Sequence, residues 1–350
     1  MTRFEDWLFE PQPGFFGEML RAPFSAMSLL YLLGVKIRLF AYQKSIFQTH
    51  LLQLPVISIG NLTLGGTGKT PCVIWLARAL EQKGIKTAIS IRGYGSPAEN
   101  ALLLVDGKSK TPDPAEVGDE SAMMAQALPE IPLLVGKNRI LAGAKAKELG
   151  AQILILDDGF QHLKIHREMD IVLIDGNKLL NAEKMFPRGK LREPLSSLRR
   201  ADIVILSKPG EMAEEILAEI KKIHPACPIF KMRYQALYPE KFYGKKAYLF
   251  AGIADPEQFF KLCQSLKIHI AGKKAFSDHH QYNDKEIWKI NAEAKKRGAE
   301  ILLTTEKDFV RLKGFKSEIP VQTLPIKPDF FGDEEKIVGL IMNRLKGKAE

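Results

Sequence analysis

The sequence predicts an α/β fold: a mostly parallel, phosphate-loop NTPase-like sheet covered by helices, with a second, smaller α/β domain and an N-terminal helix suited to a membrane interface. Three observations predict it. A strand, a glycine-rich loop and a helix follow one another between residues 55 and 80. Short, nearly continuous apolar runs then alternate with helical stretches as far as residue 228, the pattern of strands buried on both faces. After residue 228 the composition turns aromatic and basic with alternating apolar positions, which marks a change of unit. The domain reading is therefore 1–50 for the N-terminal segment, 51–228 for the core, 229–325 for the smaller domain and 326–350 for a helix packing back on the core.

The N-terminal segment is dense in Leu, Phe, Met and Tyr, and no acidic residue occurs from residue 21 to residue 80. Its longest charge-free run, residues 22–35, is 14 residues, short of the roughly 20 needed to span a bilayer. Basic residues follow the apolar run rather than precede it and no small-residue cleavage site comes after, which disfavours a secretory signal. Lys36, Arg38 and Lys44 beside Leu39, Phe40 and Phe47 suit a helix lying on anionic headgroups. The competing expectation is a helix packed on its own domain.

The loop between strand and helix reads GNLTLGGTGKTP. Glycines let successive backbone N–H groups converge on one anion, and the helix N-terminus adds positive potential. Thr63, Gly65, Gly66, Thr67 and Gly68 form the cradle, Lys69 reaches for the outer phosphates, and the Thr70 hydroxyl suits Mg²⁺. Pro71 fits a first helical turn. Thr63 stands where the usual pattern has glycine.

Further strands are expected at KTAISI, IPLLV, AQILILDD, DIVLID and ADIVILS, with a short hairpin at residues 101–108 and helices at VGDESAMMAQAL and AGAKAKEL. In such sheets ligands bind beyond the carboxyl ends of the strands, where the polar turns fall. The most hydrophobic strand ends in Asp157 and Asp158, the arrangement that holds Mg²⁺ next to a phosphate loop. His162 follows and could orient an aspartate or a phosphate. Asp119 and Glu120 open a helix, a place where capping alone would explain them. Arg92 and Tyr94, and Arg188, Arg192 and Glu193, put basic and acidic groups in loops on the same sheet face, where arginines can neutralise a transferring phosphoryl group. His279 and His280, beside Asp278, would need a further ligand to hold a metal, and adjacent rings point apart. A carboxylate-supported histidine suits proton transfer instead. SKPG lacks the aspartate of a guanine-reading motif, which favours ATP.

Net charge of +10 and a pI near 9.3 point to anionic partners. Of these the loop selects a nucleotide and the N-terminal segment a lipid surface, with no nucleic acid. Three scattered cysteines, Cys72, Cys227 and Cys263, imply a reducing compartment.

Taken in order, ISIGNLTLGGTGKTP, RGYG, VGDE, DDGFQH, LREPLSSLRRAD, FAGIADPEQFF, SDHHQY and LTTEKD resemble the tetraacyldisaccharide 4′-kinases of lipid A biosynthesis, from about residue 54 to 312. A residue other than glycine at position 63 is typical of that family. The resemblance implies a monomeric peripheral kinase on the cytoplasmic face of the bacterial inner membrane. Such a kinase moves the γ-phosphate of ATP to the 4′-hydroxyl of an acylated disaccharide 1-phosphate. It implies Asp119 with His279, or less well His280, as the proton-accepting pair across an interdomain cleft. It also implies Thr70, Asp157, Asp158, Glu120 and Glu193 around Mg²⁺, Arg192 on the phosphoryl group, and Arg92, Tyr94, His162 and His280 on the substrate side. The alternatives left open are a membrane-associated nucleotide-driven switch or assembly ATPase, and a soluble kinase or ligase of a small metabolite.

Overall fold

In the computed structural model, which describes residues 14–105, 112–312 and 314–346, the chain forms two sheets. The larger has nine strands in the order β13-β8-β7-β6-β1-β5-β2-β4-β3. Its strands are β1 (Val56–Asn61), β2 (Thr87–Ile91), β3 (Leu103–Val105), β4 (Leu133–Val135), β5 (Ile153–Asp157), β6 (Met169–Asp175), β7 (Ile203–Ser207), β8 (Ile229–Ala236) and β13 (Ile326–Asp329). Only the two edges run antiparallel, β3 against β4 and β13 against β8. The central strands are buried along their whole length, as their Ile-, Leu- and Val-rich content with few polar interruptions requires for a sheet covered on both faces.

Helices α2 (Lys69–Gln82) and α3 (Asp119–Ala127) lie on one face, and α9 (Glu334–Lys346) joins them through Ile337 and Ile341, packed into the same core as Val73, Leu76 and Leu80. On the other face α4 (Arg139–Glu148) buries Ala142 and Ala146 against Leu134 and Leu154, while α5 (Ala213–Ile223) buries Ile216 and Ile220 against Val172 and Val204. β1 sits at the centre, and its neighbours β5 and β6 lead away in opposite directions, so its carboxyl end is the switch point where a ligand crevice opens.

The smaller sheet is all parallel, in the order β10 (His269–Ala275), β9 (Lys246–Ala251), β11 (Ile301–Thr304), β12 (Val321–Thr323). Helix α6 (Pro256–Ser265) covers one face through Phe259 and Phe260, and α7 (Asp284–Lys296) covers the other through Ile287, Ile290 and Ala294. A short helix α8 (Glu306–Arg311) follows β11, where the sequence suggests only a polar turn. This unit is inserted between β8 and β13, which are hydrogen-bonded neighbours in the larger sheet. The larger sheet thus runs on through Ala236, past the boundary expected at residue 228, and takes a strand as well as a helix from residues 326–350. Of the hairpin expected at 101–108, β3 is present and pairs with β4; residues 106–108 lie outside the described residues.

Helix α1 (Gly14–Gln43) is 30 residues long, with Pro23 inside it. Its most apolar stretch reaches a mean hydropathy of 1.5 and is 11% buried, so by length and composition it could cross a membrane, although its longest charge-free run is too short. Polar contacts tie it lengthwise to the larger domain. Glu18 accepts from Arg188 (2.6 Å), Ser28 donates to the Met185 carbonyl (2.9 Å), Tyr31 to the Arg192 carbonyl (3.1 Å), and Arg38 to the Gln161 carbonyl (2.9 Å). From Glu18 to Arg38 is about 30 Å of helix. A helix bonded along that length lies on the domain, with Leu29, Leu33, Ile37 and Phe40 turned outward. Arg188 serves this contact: its guanidinium is buried against α1 instead of facing the sheet's carboxyl end.

Candidate active site

The carboxyl end of β1 delivers the glycine-rich loop to the floor of a cleft of about 1610 Å³ that runs between the two sheets. Gly68, just before α2, has φ +91°, a left-handed conformation in which a side chain is strained, and a Cβ there would strike the buried Tyr234 hydroxyl. Gly65 (φ +109°) makes the other left-handed turn of the loop. The loop residues Thr63 to Thr70 all line the cleft. Asn61 Nδ2 donates to Thr67 Oγ1 (3.1 Å), which fixes the loop to its own strand.

β5 ends beside this loop. Asp158, itself in a left-handed turn (φ +54°), accepts from Arg192 at 2.8 and 3.0 Å and lies 3.6 Å from Lys69 Nζ. Burial works against its charge, but Lys69 and Arg192 outweigh it and hold the carboxyl below its ordinary range. Asp157 is the reverse case: burial raises its carboxyl to about 7, the Glu120 charge adds to the rise, and Lys69 opposes it. Its Oδ1 is buried with no hydrogen-bond partner, a vacancy in the polar network that a cation would fill. Below both, Arg139 donates to Ser90 Oγ (2.9 Å) and to the Asp157 carbonyl (3.0 Å), with burial lowering its guanidinium to about 10.

From the opposite wall the smaller domain contributes His279. Its Nδ1 lies 3.5 Å from Asp119 Oδ2, so the two residues expected to pair do meet across the cleft. His279 takes a left-handed backbone conformation (φ +57°), with its N–H donated to Asp278 Oδ1 (2.9 Å). That turn sends the neighbouring ring elsewhere: His280 bonds to Glu286 (3.0 Å), stacks on Phe276 and does not line the cleft. Burial presses the Asp119 carboxyl upward, yet the His279 hydrogen bond and the Arg311 guanidinium (2.7 Å) hold it below the usual carboxylate range.

Other expected residues divide. Arg92 and Tyr94 line the cleft at the end of β2, with Arg92 over the Tyr94 ring and paired to Glu99 (2.7 Å). Glu120 lines it too, 3.3 Å from Lys307. Glu193 does not: its buried carboxylate accepts from Arg200 (2.7 Å), which draws it out of the expected metal set. His162 is not a lining residue either; burial lowers its imidazole to about 4, so the ring is neutral. Among the described residues no cluster of three or more His, Cys, Asp or Glu is arranged to hold a metal ion; of the acids lining the cleft, Asp157 has a buried oxygen without a hydrogen-bond partner.

Sequence reasoning overlooks four cations. Lys208, with φ +54° and a buried side chain, donates to the Gly66 carbonyl (3.3 Å). Arg139 stands in the first turn of α4, where the helix dipole disfavours a cation; that placement is the signal that another interaction holds it. Lys307 and Arg311, one turn apart on α8, both reach the Asp119–His279 pair. The |i−j| separation of 192 between Arg311 and Asp119 leaves no local trace.

A phosphate loop opening the first helix of a parallel sheet, with carboxylates at the next strand end and an acid–imidazole pair facing it, defines a nucleotide-dependent phosphotransferase. Known proteins agree. The model of the family LpxK, tetraacyldisaccharide-1-P 4′-kinase, matches residues 20–346. A tetraacyldisaccharide 4′-kinase of Desulfotalea psychrophila is 37% identical over 89% of this chain and 94% of its own length. That of Syntrophus aciditrophicus is 37% identical over 91% and 90%. The crystal structure of LpxK from Aquifex aeolicus in complex with ATP superposes with a TM-score of 0.75 at 30% identity, covering 93% of this chain and 99% of that one. The chain belongs to the tetraacyldisaccharide-1-P 4′-kinase family.

Proposed function

We propose that this kinase transfers the γ-phosphoryl group of ATP to the 4′-hydroxyl of a tetraacylated glucosamine disaccharide 1-phosphate, forming lipid IVA on the cytoplasmic face of the inner membrane. The observation that carries the reading is the meeting of Asp119 and His279 in the same cleft as the phosphate loop, each from a different domain. A sugar hydroxyl is a poor nucleophile at neutral pH, so a base within reach and in-line geometry supply most of what the chemistry needs.

The loop amides and Lys69 hold the triphosphate, with Lys208 closing over Gly66. His279 takes the hydroxyl proton at Nε2, and Asp119 stabilises the imidazolium that results. The substrate oxygen bonds to the γ-phosphorus as the bond to the β–γ bridging oxygen breaks, and ADP leaves. Arg192, poised on Asp158, and Lys69 neutralise charge on the phosphoryl oxygens. The open Asp157 oxygen, with Thr70, Asp158 and Glu120 nearby in the lining, would hold Mg²⁺, which would supply charge neutralisation on the phosphates. Arg92 and Tyr94 are placed to meet the polar head of the acceptor.

Acyl chains resist leaving the bilayer by about 0.8 kcal/mol per methylene, so the enzyme must work at the surface. The outward row of α1 is the docking element, and the contacts that bind its other side to the larger domain set the cleft at a fixed height above it. The test is incubation of the purified protein with γ-labelled ATP and the acylated disaccharide 1-phosphate in mixed micelles. Label in a lipid phosphomonoester supports the reading. ATP hydrolysis with no labelled lipid refutes it in favour of a nucleotide-driven switch, and label only in a water-soluble acceptor favours a small-metabolite kinase.

A further inference from the structure

Helix α8 sends two cations to one acid–imidazole pair, and each is constrained in a way that the other is not. The Arg311 side chain is fully buried: Nε donates to Asp119 Oδ2 (2.7 Å), and Nη1 donates to the Gly252 carbonyl (2.8 Å) and to Asp308 Oδ1 (3.1 Å). Asp308 is itself locked, accepting from the Gly252 N–H (3.0 Å), the Tyr282 hydroxyl (3.0 Å) and Thr305 Oγ1 (2.7 Å). The guanidinium therefore has one orientation. It presents Nε to Asp119 from a rigid base in the smaller domain.

Lys307 is looser. Its Nζ lies 3.2 Å from His279 Nε2, 3.3 Å from Glu120 Oε1 and 3.6 Å from Asp278 Oδ1, with 18% of the side chain exposed. An ammonium carries donors and no acceptor, so the 3.2 Å Lys307 contact favours an unprotonated Nε2 over the opposing, longer approach of Asp278 Oδ2 at 3.9 Å. The ring proton then sits on Nδ1, facing Asp119 Oδ2. Arg311 Nη2 also comes within 3.5 Å of Nδ1, the limit of a hydrogen bond; a neutral ring accepts at one nitrogen only, and the shorter Lys307 contact at Nε2, with the Asp119 acceptor at Nδ1, assigns the proton to Nδ1. A doubly protonated ring would set an N–H against the ammonium.

We propose that Lys307 and Arg311 are positioning residues for the phosphoryl transfer: Arg311 fixes Asp119, and Lys307 selects the His279 tautomer whose Nε2 lone pair faces the cleft, covering that lone pair until the acceptor hydroxyl takes its place. This rests on His279 being the base of the proposed reaction. When the hydroxyl arrives, the ammonium withdraws along its flexible stem toward Glu120 and Asp278, which already hold it. The base is thus presented in the right form and shielded from stray protons until the substrate needs it.

The test compares Lys307→Met, which keeps the stem and removes the charge, and Arg311→Lys with His279→Gln and Asp119→Ala in the full-length protein. Tautomer selection is part of the roughly 10²–10⁴-fold supplied by a general base. Lys307→Met is expected to lower kcat by about tenfold or more while leaving KM for ATP within about twofold. In ¹⁵N spectra of the neutral ring, with the His279 signals assigned by their loss in His279→Gln, the parent shows the Nδ1–H form and Lys307→Met shifts toward Nε2–H. Arg311→Lys retains the charge and loses the fork, and is expected to lower kcat without moving the tautomer. If His279→Gln and Asp119→Ala keep parental turnover, the base assignment falls and this proposal with it. If those two lose turnover while Lys307→Met leaves both kcat and the tautomer unchanged, the base assignment stands and the positioning role is overturned.

Discussion

Replacing Asp119 by alanine should separate chemistry from binding, and its size can be worked from the contacts. The carboxylate gives up two partners, Arg311 Nε at 2.7 Å and His279 Nδ1 at 3.5 Å. Arg311 is wholly buried but keeps Asp308 and the Gly252 carbonyl, so its charge is not stranded. The stability loss should fall between that of an exposed pair and that of a broken buried pair, about 1–3 kcal/mol, a fall in Tm of a few degrees. The kinetic loss should be larger, about 10²–10⁴-fold in kcat, because the imidazolium formed in the transition state loses its counter-charge. KM for ATP should stay within about twofold, since the proposed nucleotide site is built by β1, its loop and α2 and not by Asp119. Mixed-micelle turnover, nucleotide binding and thermal melts measure the three quantities. Because the Asp119 carboxyl is held below its ordinary range, its stabilisation is complete above the unfolded value near 3.8 and fades as pH falls through the folded one. The melting difference between parent and variant should therefore be flat through neutral pH and close only in acid. Turnover within threefold of the parent, or a rise in KM for ATP as the main effect, would refute the assignment of Asp119 to proton transfer.

Other outcomes follow from the same geometry. Burial lowers the His162 imidazole from 6.5 to about 4, so between those values only the unfolded chain takes the proton and stability falls as pH drops. His162→Asn should remove about 2 kcal/mol of that acid-induced loss, read as a flatter dependence of Tm on pH; an identical profile would place the ring in solvent. Gly68→Ala adds a left-handed penalty of about 1–2 kcal/mol and a collision with Tyr234, and should raise KM for ATP about tenfold or more. Gly65→Ala, which meets nothing within 4 Å, should be milder; equal effects would discount the Tyr234 contact. Changing Leu29, Leu33 and Ile37 together to glutamine removes about 1 kcal/mol of apolar transfer each and should weaken binding to anionic vesicles about 100-fold with ATP binding intact. Unaltered partitioning would exclude α1 as the docking surface.

What the sequence shows and hides follows from how far apart the interacting residues lie. The loop at residues 63–70 is legible because phosphate binding needs consecutive amides, glycines at left-handed positions and a helix start, all within one short stretch. The parallel sheet is legible because strands buried on both faces must be continuously apolar. β8 is read as part of the next unit because only alternate residues are buried, the signature of a strand near an edge, and alternation carries no information about which sheet it joins. That His279 rather than His280 faces Asp119 depends on a left-handed backbone at residue 279 that nothing in SDHHQY announces. Arg311 is hidden for another reason: beside Asp308 at i−3 on a six-residue helix it reads as an ordinary surface pair, and only the folded chain shows it reaching Asp119. Glu193 and His162 sit in motifs that resemble the family's, yet neither lines this cleft, and Arg200 holds the Glu193 carboxylate.

The placement of the smaller domain explains why proton acceptor and phosphate loop should act together. The chain leaves the larger sheet after β8 and returns at β13, and these are antiparallel neighbours with Ala236 opposite Ile326. Both connections therefore pass through one narrow place, which makes it a two-stranded hinge. Everything the smaller domain offers the site lies beyond that hinge: Ala254 against Gly66, Asp255 near Lys208 (3.9 Å), Lys307 on Glu120, and His279 and Arg311 on Asp119. Rotation about the hinge would part all of these at once. Several of the pairs are partly exposed, each worth about 0–1 kcal/mol, so opening is affordable for substrate entry. Closing reassembles the base only when the loop is also covered, and water then has least access to the γ-phosphate at the moment the base can act. An acid and an imidazole on one rigid sheet could abstract a proton from water as readily as from a sugar; divided between two lobes, the proposed pair would be competent only in the closed state.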